Sequence, residues 1–195
     1  MLNTIAQGTD SALPPLLIVP GLFGSARNWG VIAKHMAKTR RVVAVDMRNH
    51  GDSFWNDDHS YPAMAEDLAE VIASEGGEMD VMGHSMGGKA SMVLALTRPA
   101  LVRRLVVADI APVAYEHTHD GLIEAMQALK IDDLTSRAEA DRRLSESVSD
   151  AGTRAFLLQS LELRDGPVRW KLNLDVLGAA MTTVTGWPEL PSAPY

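Results

Sequence analysis

The residues best placed to do chemistry are Gly83-His84-Ser85-Met86-Gly87. An apolar run from Met79 to Met82 leads into them, and a helical pattern carries on to Thr97. A serine between two glycines at a strand-to-helix junction is the pattern of a nucleophile elbow, in which a sharp turn lifts the hydroxyl out of a sheet. The glycines have a steric reason, because such a turn strains the serine backbone and crowds its neighbours. The chemistry expected of Ser85 is acyl transfer, with the Met86 N–H at a helix N-terminus stabilising a developing oxyanion. The competing reading is a glycine-rich turn that only packs tightly. Gly83 to Lys89 also fits G-x-x-x-x-G-K, but Ala90 follows where a phosphate-binding loop needs Ser or Thr for magnesium. That loop would also follow the first strand of its domain, and this segment follows the third.

Three other segments bear on the same chemistry. Pro20-Gly21-Leu22-Phe23-Gly24 leaves the first apolar strand, which makes the Leu22 N–H a candidate second oxyanion donor; a plain turn is the alternative. Asp46-Met47-Arg48-Asn49-His50-Gly51-Asp52-Ser53 is rich in charge, and Asp46 and Arg48 are expected to brace the loop rather than react. Asp109 ends the fourth apolar run. At the carboxyl edge of an open sheet it could orient a histidine and stabilise its cation, or simply cap the Ala111-Pro112 turn.

The elements that must position these residues alternate. Leu16–Val19, Val42–Val45, Met79–Met82 and Leu105–Val107 read as short buried strands. Helical spacing lies between them, at Trp29, Ile32, Ala33 and Met36, then at Met64, Leu68, Val71 and Ile72. Lys38-Thr39-Arg40-Arg41 is expected to close the first of these helices, where the dipole favours cations. The pattern predicts an α/β fold with a doubly wound, mostly parallel sheet. After Pro112 it changes to helical stripes with no convincing strand. Leu122, Ile123, Met126 and Leu129 form one stripe; Phe156, Leu157, Leu158 and Leu161 another; Leu172, Leu174, Val176 and Leu177 a third. The expected organisation is a core at 1–113, an inserted helical cap at 114–186 and a return segment at 187–195. The cap, with Trp170 and Trp187, is expected to line an apolar acyl pocket.

Composition narrows the function. A net charge of -7 in 195 residues disfavours nucleic acid and anionic membranes as partners. The absence of cysteine excludes thiolate metal sites and cysteine nucleophiles. The first residues carry no basic, apolar leader, and no apolar run reaches the roughly 20 residues of a membrane span, so a cytoplasmic location is expected. No metal or cofactor is expected, and the oligomeric state is left open.

Together these residues resemble the α/β-hydrolase superfamily and, more narrowly, the YbfF-type esterases. The matching segments are Gly21-Leu22-Phe23-Gly24-Ser25 with Asn28-Trp29, Asp46 to Gly51, Tyr61-Pro62-Ala63-Met64, Gly83 to Ala90, and Asp109-Ile110-Ala111-Pro112-Val113, with weaker similarity through Trp170 and Asn173-Leu174 to Trp187. The resemblance implies carboxylic-ester hydrolysis without a cofactor, a Ser85 nucleophile and oxyanion donors at Leu22 and Met86. It makes Asp109 a candidate triad acid, although other members draw the acid from a later strand. The family usually has His-Gly where this chain has Pro20-Gly21, and proline removes a donor and fixes φ. The resemblance also implies two further strands and a catalytic-histidine loop beyond the position of Tyr195, so truncation before them is expected. Of the six histidines, only His117 and His119 are candidate substitutes for that base. The expected activity is cleavage of small neutral esters through an acyl-Ser85 intermediate, impaired by the lack of that histidine. The alternatives are a non-catalytic binding module and a cofactor-free perhydrolase or haloperoxidase.

Overall fold

The computed structural model describes residues 1–116, 118–163 and 166–190. Its frame is a five-stranded sheet of β1 (Thr4–Gln7), β2 (Leu16–Val19), β3 (Val42–Val45), β4 (Met79–His84) and β5 (Val102–Ala108), in the order β1-β3-β2-β4-β5. β1 runs antiparallel to β3, and the other pairs are parallel. The four parallel strands are those expected from their apolar runs. β1 was not expected: its sequence TIAQ alternates half-buried and exposed positions and carries too little apolar surface to signal a strand alone.

Alternation of side chains across each strand divides the core in two. Leu16, Ile18, Val42 and Ala44 face α1 (Gly30–Met36), together with Ala33. Leu17, Val19, Val43 and Val45 face the opposite way, toward α2 (Tyr61–Ser74) and α3 (Met86–Thr97). Helices therefore cover both faces, as a parallel sheet requires. The basic cluster does not cap α1, which ends at Met36. Arg40 instead meets Asp80 of β4 at 2.6 Å and Arg41 meets Glu75, just past α2, at 2.5 Å, full charges that attract a cation more strongly than the partial charge of a helix end. On its outer side β5 pairs with no strand among the described residues, and Val106 there is 57% exposed.

After β5 come α4 (Asp120–Ala128), α5 (Arg137–Leu144) and α6 (Ala151–Leu157), then β6 (Leu161–Glu162), β7 (Arg169–Trp170), α7 (Leu174–Ala179) and α8 (Met181–Thr185). The helical stripes are present, with two differences. β6 and β7 form a two-residue antiparallel ladder, too short to leave a period in the sequence. Leu172 lies outside α7 and bridges His50 instead.

The end of this helical segment is fastened to the sheet helices by buried polar groups. The Tyr61 hydroxyl donates to Val184 O at 2.6 Å. Lys89, 1% exposed, donates to Thr185 O and Gly186 O and lies 5.0 Å from the Tyr115 ring centre. Removing one buried donor leaves its acceptor unpaired, so Tyr61→Phe should cost about 1–2 kcal/mol of unfolding free energy in urea. A variant as stable as the parent would show that Val184 O finds another donor.

Candidate active site

β4 ends at His84 and α3 begins at Met86, so Ser85 alone makes the turn, at φ 50° and ψ −121°. A serine on the left-handed side of φ is strained, and such strain is held only where the surroundings over-determine it. Here Ser85 N donates to Ala108 O at 3.0 Å, and Ser85 O accepts from Lys89 N at 3.1 Å. Gly87 completes the turn, because a Cβ there would overlap the carbonyl oxygens of Val19 and Pro20. The β2 end thus packs directly on the elbow. A Cβ on Gly21 would lie 3.0 Å from Ser85 Cβ, so the loop after β2 can approach Ser85 only as glycine.

Ser85 is half-buried and opens onto a cavity of about 390 Å³. Leu22, Phe23, Trp29 and Ile32 form one apolar side, and Leu122, Phe156 and Leu157 from α4 and α6 form the other; Asn28, His84 and His119 are its polar members. The cavity is apolar as expected, but with other walls. Trp170 is buried elsewhere, donating to Met126 O at 3.1 Å, and Trp187 lines a separate groove beside β5. Aromatic content alone does not say which side of a helix meets the cavity.

Leu22 and Ser85 meet at the cavity, and Met86 is buried at the first position of α3. The backbone N–H groups of Leu22 and Met86 make no hydrogen bond among the described residues, nor does the Ser85 hydroxyl. Asp109 stands on the adjacent parallel strand end. Ala108 is in register with His84, which puts Asp109 level with Ser85. It too has a positive φ, 59°, and its side chain is 90% exposed, 4.0 Å from His84 Nε2. Of the substitute histidines, His119 lines the cavity with its ring centre 6.4 Å from that of Phe23, and His117 lies outside the described residues.

Asp46 and Arg48 hold the neighbouring loop. The Asp46 carboxylate accepts from Ala26 N at 2.7 Å, Asn3 Nδ2 at 2.8 Å and Asp52 N at 2.9 Å. Arg48 forms a two-pronged pair with Asp67 at 2.6 and 2.9 Å. His50, two residues after Arg48, is fully buried, and its Nε2 accepts the Phe23 N–H at 3.1 Å. That contact was not foreseen. The signal available was a histidine inside a segment that matched as a block.

Residues 14–188 match the family described as alpha/beta hydrolase fold. The chain is 43% identical over 189 residues to the sn-1-specific diacylglycerol lipase ABHD11 of Mus musculus, covering 92% of this chain and 62% of that protein. It is 37% identical over 180 residues to Esterase YbfF of Escherichia coli (strain K12), covering 91% of this chain and 69% of that one. Among solved structures, a marine microorganism esterase superposes with a TM-score of 0.92 at 35% identity, over 99% of this chain and 76% of that one. The chain thus spans about three fifths of the length of its mouse relative. Among the described residues, no helix is long and apolar enough to cross a membrane.

Proposed function

The chain belongs to the alpha/beta hydrolase fold family, and we propose that it is a serine hydrolase cleaving small neutral carboxylic esters through an acyl-Ser85 intermediate. The observation that carries this reading is the strained Ser85, its hydroxyl unbonded among the described residues, at an apolar cavity beside two backbone N–H groups without partners among them. In the proposed reaction Ser85 Oγ attacks the ester carbonyl carbon and gives its proton to a base. The carbonyl oxygen becomes an oxyanion held by the N–H groups of Leu22 and Met86. Collapse expels the alcohol, which takes the proton from the base, and water then releases the acid by the same route. Asp109, level with Ser85 on the next strand end, is the carboxylate proposed to steady an imidazole between them. The base is the part of the reaction that the described histidines do not supply at Ser85, so turnover by these 195 residues is proposed to be weak. The cavity, walled by Leu22, Trp29, Leu122 and Phe156, suits a short to medium acyl chain, and no lysine or arginine lines it among the described residues. The names of the relatives, esterases and a diacylglycerol lipase, agree with an ester substrate.

A fluorophosphonate, supplied with imidazole as external base, tests the reading. The chain should take up one phosphonyl group, located by peptide mass at Ser85, and Ser85→Ala should take up none. An unlabelled parent chain would leave a binding module on this fold as the better description.

A further inference from the structure

We propose that His50 is a positioning residue for the oxyanion loop, its neutral imidazole locking the Leu22–Phe23 peptide in one of two available orientations. The inference rests on the Ser85 reading above and adds to it the group that fixes the peptide directly after one of the two proposed oxyanion donors, the Leu22 N–H.

The loop after β2 is a four-residue turn closed by Gly24 N donating to Gly21 O at 3.0 Å. Phe23, its third residue, has φ 64°, and Leu22 is not among the residues with positive φ. One positive φ at the third position is the signature of a type II turn, which normally places glycine there. With phenylalanine the type I form is sterically easier, and it differs by turning over the central peptide, that between Leu22 and Phe23. Something must hold this peptide against the easier alternative. Both polar groups of Phe23 are held: the N–H by His50 Nε2 at 3.1 Å, and the C=O by the Ser160 hydroxyl at 3.1 Å. Type I would swing the Phe23 N–H away from His50 and disturb the Leu22 backbone beside Ser85.

The imidazole is itself committed to one form. Its Nδ1 lies 2.9 Å from Arg48 O. A carbonyl only accepts, so Nδ1 carries the proton and Nε2 presents its lone pair to Phe23. The ring is anchored on a rigid loop. Asn49 and Gly51 on either side have φ of 66° and 57°, His50 N donates to Met47 O, and Gly51 N donates to Lys171 O. The Asp46 carboxylate ties this loop, through Asp52 N, to Ala26 N just beyond the turn. The charged and titratable groups around the ring are Arg48, occupied by Asp67, then Asp46, the stacked His59 and the Asp52–Lys171 ion pair. Burial pushes His50 down to about 4, against which the Arg48 carbonyl and the Asp46 charge pull upward. It is therefore neutral through the physiological range. A proton on Nε2 would face the Phe23 N–H donor to donor and release the peptide.

Two replacements of similar polarity separate this role from simple packing. Glutamine reaches the Nε2 position and can present an oxygen to Phe23, whereas asparagine can replace only the bond to Arg48 O. With fluorophosphonate and imidazole present, His50→Asn should lower the maximal rate of Ser85 labelling by roughly 10²-fold, toward the loss of an oxyanion donor, with the reagent's binding constant little changed. His50→Gln should retain most of the rate and should lack the acid limb that the parent shows as His50 protonates. Melting curves of both variants establish that each is folded at the assay temperature. Nitrogen-15 NMR of the parent gives a readout independent of reactivity: the His50 ring nitrogens should report the Nδ1–H form, and the Phe23 amide should shift in step with their protonation. Equal labelling rates in the two variants, or a Phe23 amide indifferent to His50 protonation, would overturn the proposal. Should the parent not be labelled at all, the serine-hydrolase reading fails separately. The NMR titration then decides the His50 claim, with a co-titrating Phe23 amide supporting it and an indifferent one overturning it.

Discussion

Added imidazole should raise hydrolysis of short p-nitrophenyl esters by the 195-residue chain, in proportion to its concentration, above the rate that Ser85→Ala shows with the same imidazole. A neutral serine hydroxyl is a weak nucleophile until a base takes its proton. The Ser85 hydroxyl has no hydrogen-bond partner among the described residues. The histidines are mostly committed elsewhere. His35 is exposed on α1, and His50 and His59 are buried behind the loop. His84 lies 4.0 Å from Asp109, one residue before Ser85. In a serine protease, loss of the histidine alone costs about 10⁶ in kcat, so unaided turnover by this chain should be marginal. A small imidazole can enter a cavity of about 390 Å³ and take the proton that no described side chain is hydrogen-bonded to receive. Subtracting the Ser85→Ala rate removes hydrolysis by imidazole in solution. Vigorous Ser85-dependent turnover without imidazole would sink the prediction. It would direct attention to His119 at the cavity wall, to be tested by His119→Ala.

What was legible beforehand follows from how local each feature is. The elbow could be read because its requirements are local: an apolar run, then a glycine, one residue, the serine, one residue and a second glycine. The buried parallel strands could be read because each is an apolar run walled by helices on both faces. β1 could not, since Thr4–Gln7 becomes a strand only by pairing with β3, whose residues are some 40 positions away in the chain. Lys89 drew notice within a phosphate-loop-like spacing, yet its donors go to Thr185 and Gly186 at the far end of the helical segment. The cavity beside Ser85 is apolar, as read from the sequence, but its aromatic walls are Phe23, Trp29 and Phe156 rather than Trp170 and Trp187. The role of His50 depends on meeting Phe23 across 27 residues, a contact that no periodicity encodes. Asp109 was placed on the right sheet edge from the end of its strand. Its exposure and positive φ come from the turn that follows, which no apolar pattern describes.

Acidification from pH 7 to pH 5 should cost the fold about 3–4 kcal/mol, through His50 and His59 together. Both rings are buried, at 0% and 3% exposure. Burial holds His50 at about 4. Burial, then repulsion from His50 and Arg48, holds His59 at about 3, against an ordinary value of 6.5. The hydrogen bonds act in the same direction. The Asn49 amide oxygen accepts from Asn56 N and Asn173 Nδ2, so its NH₂ group faces His59 Nδ1 and occupies that lone pair. His59 Nε2 then carries the proton, buried and without a partner among the described residues. Each histidine is thus neutral in the folded chain where it would be protonated in the unfolded one. The unfolded state binds more protons, so stability is complete above pH 6.5 and is lost as pH falls toward 4 and then 3. Depressed carboxylates such as Asp58, held by Ser60, and Asp133, held by Arg143, follow the same sign but lose their contribution only near and below 3.8. The interval between pH 6.5 and 5 therefore belongs to the histidines. Against a total stability of about 5–15 kcal/mol, the loss is large enough to read in urea midpoints. The His50→Gln, His59→Gln double variant lacks both buried rings and should lose most of the midpoint change over that interval. A parent chain equally stable at pH 7 and pH 5 would mean that the two rings accept protons in place, and that the loop behind Ser85 is looser than its hydrogen bonds imply.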